Sequence, residues 1–189
     1  MDKFRQLSAS VIPLDLDNID TDMIIPAHHL KSISRSGYGD GLFSALKDLY
    51  PDFIFNNAKY NTGQILLSKA NFGCGSSREH AVWALLQHGI KVVVCSSFSD
   101  IFFNNAAKNG LLLIVLPESI INKWIKTSLE DAGLAMNVNL LNNKISFNKE
   151  AYDFEYDPYR KHCLIEGLDD LTYLLSQDTV ITEYEAKRG

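Results

Sequence analysis

Short apolar runs alternate along this chain with stretches whose apolar residues recur at helical spacing. Val92-Val93-Val94-Cys95 and the run from Leu111 to Leu116 are too short for helices and rich in branched side chains. They predict strands over 91–96 and 111–116, buried on both faces. Residues 64–70, around Ile65-Leu66-Leu67, predict a further strand, and residues 10–14 a first one. Ala81, Val82, Leu85 and Leu86 recur every three or four residues, which predicts a helix over 77–88 closed by Gly89 as a left-handed C-cap. A second helix over 100–108 stops at Asn109-Gly110. Two strand–helix–strand units in succession argue for a parallel sheet with right-handed crossovers.

The pattern changes after Pro117. Residues 118–128 predict a helix, and 137–141 with 144–147 predict a hairpin joined by Asn142-Asn143. Asp157-Pro158 opens a helix that runs to Gly167, with proline in the first turn. From Gly167 to the end the chain reads as helical, capped by Asp178 or Gln177. Two segments read as loops. One carries Asp15, Asp17, Asp20 and Asp22 within eight positions. The other, 31–41, is polar and holds Gly37, Gly39 and Gly41, so it is expected to be exposed and mobile. No repeat or linker divides the chain, and residues 1–189 read as one α/β domain of mixed strands and flanking helices.

Composition narrows the function classes. With 189 residues, 46% of them hydrophobic, the chain is large enough to bury a real core. A net charge of -5 without a basic block argues against sequence-independent nucleic-acid binding. No apolar run approaches the roughly 20 residues that a membrane helix needs. The first residues lack the apolar core of a signal peptide, so a cytoplasmic location is expected. Cys74, Cys95 and Cys163 are odd in number and far apart. They form no disulfide framework and lack the Cys-x-x-Cys spacing of zinc and iron–sulfur sites, so no metal ligands are expected here.

The chemistry concentrates in Asn71-Phe72-Gly73-Cys74-Gly75-Ser76-Ser77-Arg78-Glu79-His80, which reads as a glycine-rich turn leading from a strand into a helix. A helix start offers free N–H groups and a partial positive charge, which suit a carboxylate, and Arg78 adds a full fork-shaped charge. Ser76 has two readings. As an N-cap, with Glu79 three residues on completing a capping box, it contributes about 1 kcal/mol to the helix. As a ligand-facing hydroxyl, it or Ser77 is a candidate catalytic group. The two coexist if Glu79 holds the helix start while one serine faces a ligand. The stretch is neither a P-loop, lacking Gly-Lys-Ser/Thr, nor a Gly-x-Ser-x-Gly elbow. A serine is a feeble base in water; it becomes effective where cationic and N–H groups stabilise its alkoxide in a water-poor pocket. The four aspartates of the acidic loop lack EF-hand spacing, which excludes that calcium site.

Residues 71–80 closely resemble the signature of the swivelling domain of the aconitase superfamily, in the cysteine-bearing version of the small subunits of isopropylmalate isomerases. Asn18-Ile19-Asp20-Thr21-Asp22-Met23-Ile24-Ile25-Pro26 resembles a second family signature, and Ser34-Arg35-Ser36-Gly37-Tyr38-Gly39 a third. Ser97-Phe98-Ser99-Asp100-Ile101-Phe102, Arg160-Lys161-His162-Cys163 and Gly167-Leu168-Asp169 continue the likeness in order. A shorter stretch between Leu49 and Asp52 departs from it.

The resemblance implies a swivelling three-layer β/β/α domain with a mixed or parallel sheet and flanking helices. It also implies a heteromeric hydro-lyase of leucine biosynthesis that isomerises 2-isopropylmalate and 3-isopropylmalate. A large partner subunit would carry a [4Fe–4S] cluster, and this chain would bind none itself. Ser76 takes the place of the catalytic base, Arg78 and Ser77 support oxyanion and carboxylate, and Asp22 is the active-site acid of the Thr-Asp signature. Arg35 corresponds to a carboxylate-binding arginine, Leu30 and Ile33 are candidate contacts for the isopropyl group, and the 31–41 loop is a candidate gate. Two other readings use the same residues. One is a sister hydro-lyase acting on citraconate or homoaconitate, and the other is a non-catalytic dicarboxylate-binding module.

Overall fold

The structure, a computed structural model, describes residues 1–31 and 36–188. In chain order its elements are β1 (Gln6–Leu14), α1 (Thr21–Ile24), α2 (Ser44–Leu49), β2 (Ile65–Ser68), α3 (Glu79–His88), β3 (Val92–Cys95), α4 (Asp100–Asn109) and β4 (Leu112–Val115). There follow α5 (Glu118–Glu130), β5 (Ala135–Asn139), β6 (Lys144–Phe147), β7 (Glu150–Asp153), α6 (Pro158–Glu166), α7 (Asp170–Ser176) and α8 (Asp178–Arg188).

Among the described residues, seven strands form one sheet in the order β4-β3-β2-β1-β5-β6-β7. The first four are parallel; β5, β6 and β7 form an antiparallel meander joined to β1. The register places Val11, Ile65, Val92 and Leu112 in one row and Ile12, Leu66, Val93 and Leu113 in the next. Successive rows face opposite sides of the sheet. The second row packs beneath α3 and α4, on Val82, Leu85 and Phe102. The first packs beneath α5, on Ile121, Trp124 and Ile125. Met136, Val138, Ile145 and Phe147 of the meander join that second core, so the antiparallel half curls around α5. The predicted α/β class and mixed sheet are what forms, and both faces of the parallel half are buried, as its uninterrupted apolar runs require.

Several details depart from the pattern-based reading. β1 starts at Gln6, because its polar, half-exposed first half pairs with β5 in the one-sided antiparallel part of the sheet. The acidic loop ends in a turn of helix, α1, where the Asp20 side chain accepts from the Met23 amide at 2.7 Å. The meander gains β7 through a two-residue turn in which Asn148 and Lys149 both have positive φ (46° and 68°). Such a turn matches the strand twist, but Asn-Lys lacks the glycine that marks one in sequence. The helical C-terminus divides in two: Asp169 caps α7 in a capping box with Thr172, and Gln177 closes α7.

Trp124 is 1% exposed, lies 5.6 Å from the rings of both Phe147 and Tyr152, and donates from Nε1 to Glu150 Oε2 at 3.1 Å. It therefore links α5 to the meander. Trp124→Ala is expected to lower stability by about 3–5 kcal/mol, read as a shifted urea midpoint.

Candidate active site

The suspected turn lies beyond the carboxyl ends of β1, β2 and β3, where open parallel sheets place their ligands. Pairing continues past the strands as isolated bridges, Asp20 to Cys74 and Phe72 to Phe98, which hold the turn between 18–22 and 97–99. Gly73 and Cys74 donate their N–H groups to the Ile19 carbonyl at 2.7 and 3.2 Å. The Cys74 carbonyl accepts from the Thr21 amide at 3.0 Å, and the Ser76 carbonyl from Thr21 Oγ1 at 3.1 Å. The Gly73 carbonyl accepts from Ser99 Oγ at 2.5 Å. These carbonyls are thus tied inward. The amides of Gly75, Ser76, Ser77 and Arg78 have no protein acceptor among the described residues.

Gly73 makes this path possible. Its φ of +76° belongs to the left-handed region, and a Cβ there would lie 2.2 Å from the Phe102 ring. Arg78 occupies the N-cap of α3 and supplies no side-chain cap. The capping box between Ser76 and Glu79 does not form, because α3 begins only at Glu79, so Ser76 lies ahead of the cap and Glu79 is the first helical residue; the Glu79 carboxylate accepts instead from Asn109 Nδ2 at 2.7 Å. Ser76 and Ser77 are exposed, and neither hydroxyl bonds to a protein group among the described residues. Of the two readings of Ser76, the cap is therefore the one the geometry removes.

Arg78 donates from its guanidinium to Asp22 Oδ1; its side chain is 20% exposed and that of Asp22 56%. Asp22, Ser76, Ser77 and Arg78 are thereby brought together, from α1 and from the turn before α3. Leu30, in the 3-10 turn Ala27–Lys31, lies half-buried against the core beneath α3 and α4. Ile33 and Arg35 lie outside the described residues, as does the middle of the 31–41 segment. Its far end is held to α3. Tyr38 is buried and donates its amide to Gln87 Oε1 at 2.8 Å, and Gly39 lies against the backbone of Gln87 and His88. That end is anchored where the sequence suggests an exposed loop.

Burial, and then the charge of Asp20, push the Cys74 thiol above its ordinary pKa, so at neutral pH it is an uncharged neighbour of the turn. Among the described residues no group of three or more His, Cys, Asp and Glu side chains is arranged to hold a metal ion. Sequence reasoning missed Thr21 and Ser99, whose hydroxyls grip the turn. The signal for Thr21 was its place beside Asp22 in the Thr-Asp signature.

The candidate residues thus meet at the parallel carboxyl ends of a mixed α/β sheet, where a glycine-rich turn with exposed serines lies beside an arginine–aspartate pair. Residues 1–119 match the Aconitase C-terminal domain model, and the chain belongs to that family. It is 52% identical to the 3-isopropylmalate dehydratase small subunit of Francisella tularensis subsp. novicida, with 100% of both chains covered. It is 44% identical to the protein of that description from Paracoccus denitrificans, covering 99% of this chain and 96% of that one. Its fold is similar to the crystal structure of 3-isopropylmalate dehydratase (leuD) from Methanocaldococcus jannaschii, at TM-score 0.69 and 24% identity over 97% of this chain and 99% of that one.

Gly73→Ala is expected to destabilise the protein by about 2–5 kcal/mol, the sum of a left-handed alanine and an overpacked contact, measured by urea unfolding. Cys74 is expected to react with iodoacetamide at pH 7 more slowly than free cysteine. Its rate should rise as pH climbs towards the raised pKa, as mass spectrometry of the labelled peptide would read.

Proposed function

We propose that this chain, acting as one swivelling domain over 1–189, is the small subunit of a cytoplasmic hydro-lyase. That enzyme isomerises 2-isopropylmalate and 3-isopropylmalate through isopropylmaleate in leucine biosynthesis. The observation that carries the reading is the exposed Ser76 hydroxyl on a turn whose carbonyls face inward, beside Arg78 and Asp22. The full-length likeness to small subunits supports the substrate class. Among the described residues no helix is long and apolar enough to cross a membrane.

In this reading Ser76 Oγ takes the carbon-bound proton as hydroxide leaves the neighbouring carbon, and it returns a proton at the other carbon when water adds back. The Arg78 guanidinium and the free amides of the turn stabilise the alkoxide form of Ser76. Asp22 orients Arg78, and Ser77 with Arg78 holds a substrate carboxylate. Arg35 would take a second carboxylate, and Leu30 with Ile33 would meet the isopropyl group. The likeness to proteins called small subunits supports a large partner subunit, which in this reading would carry a [4Fe–4S] cluster. When bound there, it supplies an iron that takes the substrate hydroxyl and a carboxylate. The apolar side chains that α7 and α8 leave exposed, Leu171, Leu174, Leu175 and Ile181 among them, fit a chain that works in an assembly.

The purified chain is expected to be inactive alone and active once the cluster-bearing subunit is added; turnover by the isolated chain would refute the division of labour. Because Ser76 Oγ bonds to no protein group among the described residues, Ser76→Ala should shift stability by no more than about 0.5 kcal/mol. Turnover of the assembled enzyme should nonetheless fall by about 10²–10⁴-fold or more. Rates near wild type would sink the base assignment. Comparing rates on isopropylmalate, citramalate and homocitrate-type acids identifies the substituent pocket, since a methylene changes binding by about 1–3 kcal/mol.

A further inference from the structure

The hydroxyl of Thr21 has no part in the reaction as written, yet it is 2% exposed and reaches 55 positions along the chain to the Ser76 carbonyl. A trans peptide holds its C=O and the following N–H antiparallel across one plane. The carbonyl that Thr21 Oγ1 binds, at 3.1 Å, belongs to the peptide that carries the Ser77 amide. Drawing that oxygen inward therefore turns the Ser77 N–H outward, in a stretch where Ser76 and Ser77 are both exposed. The Thr21 backbone does the same one step earlier. Its amide binds the Cys74 carbonyl at 3.0 Å and so aims the Gly75 N–H away from the protein. Gly75 itself has a φ of +87°, in the left-handed region that favours glycine. Asp22, the next residue, binds Arg78. One turn of helix thus sets two peptide planes and a guanidinium together.

We propose that Thr21 is a positioning residue, whose hydroxyl orients the Ser76–Ser77 peptide so that the Ser77 amide faces the anionic substrate beside the base. The inference rests on Ser76 being that base. Rotation of this peptide moves both the donor and the Oγ of Ser76, and misplacement of reacting groups by about 1 Å is enough to lower a rate by about 10²-fold.

The test compares Thr21→Val, Thr21→Ser and Ser76→Ala, each assembled with the cluster-bearing large subunit and assayed on isopropylmalate, with partner affinity measured alongside. Thr21→Val keeps the shape and removes the donor, so kcat is expected to fall about 10–100-fold while KM and partner affinity stay within about three-fold. Thr21→Ser keeps the donor and is expected to recover most of the rate. A Thr21→Val enzyme with normal kcat, beside an inactive Ser76→Ala enzyme, overturns the role of Thr21 alone. An active Ser76→Ala enzyme overturns the base assignment beneath it. Should Thr21→Val fail to fold, Thr21→Ser still decides: a loss of 10-fold or more in kcat would assign the effect to the missing methyl and overturn the proposal.

Discussion

The grip of residues 19–22 on the glycine-rich turn is the constraint on which the site depends. A turn with two glycines in the left-handed region has little conformational preference of its own. Five hydrogen bonds to Ile19, Thr21 and Ser99 give it one conformation, and all of them turn carbonyl oxygens or early amides inward. The amides that remain among the described residues, those of Gly75 to Arg78, lie in the turn that leads into α3. The carbonyls of Gly73, Cys74 and Ser76 go to the protein, while the amides of Gly75 to Arg78 have no acceptor among the described residues.

The charged groups act within that frame. Arg78 is fully charged, and Asp22 fixes its guanidinium without burying it, because the carboxylate is itself more than half exposed. A pair with one partner this exposed contributes little to folding, about 0–1 kcal/mol. Its value lies in geometry. Cys74 adds no charge, because its burial favours the thiol.

The rest of the molecule supports this end of the sheet. The parallel strands, buried on both faces, form a stiff platform under the turn, with α3 and α4 on one side and α5 on the other. The meander completes the second core by curling around Trp124, remote in topology from the turn. Ser99 joins the two levels of organisation. Its hydroxyl receives the Phe102 amide at the start of α4 and donates to the Gly73 carbonyl, while Phe102 itself fills the space that a Gly73 side chain would need.

By itself the sequence determined the elements whose signals are local. The apolar runs of β2, β3 and β4, the glycine ends of α3, α4 and α6, and the Asp157-Pro158 start are written in neighbouring residues, so they were legible, as was the family likeness of residues 71–80. Tertiary structure decided what depends on contacts between distant positions. It paired the polar start of β1 with β5, and it began α3 at Glu79, whose carboxylate goes to Asn109, so that Ser76 caps nothing. It also set the Thr21 hydroxyl on a carbonyl 55 residues away. The Ser76–Glu79 spacing is that of a capping box, yet a hydrogen-bonding group takes the partner that the fold brings nearest, and no local pattern records which one that is.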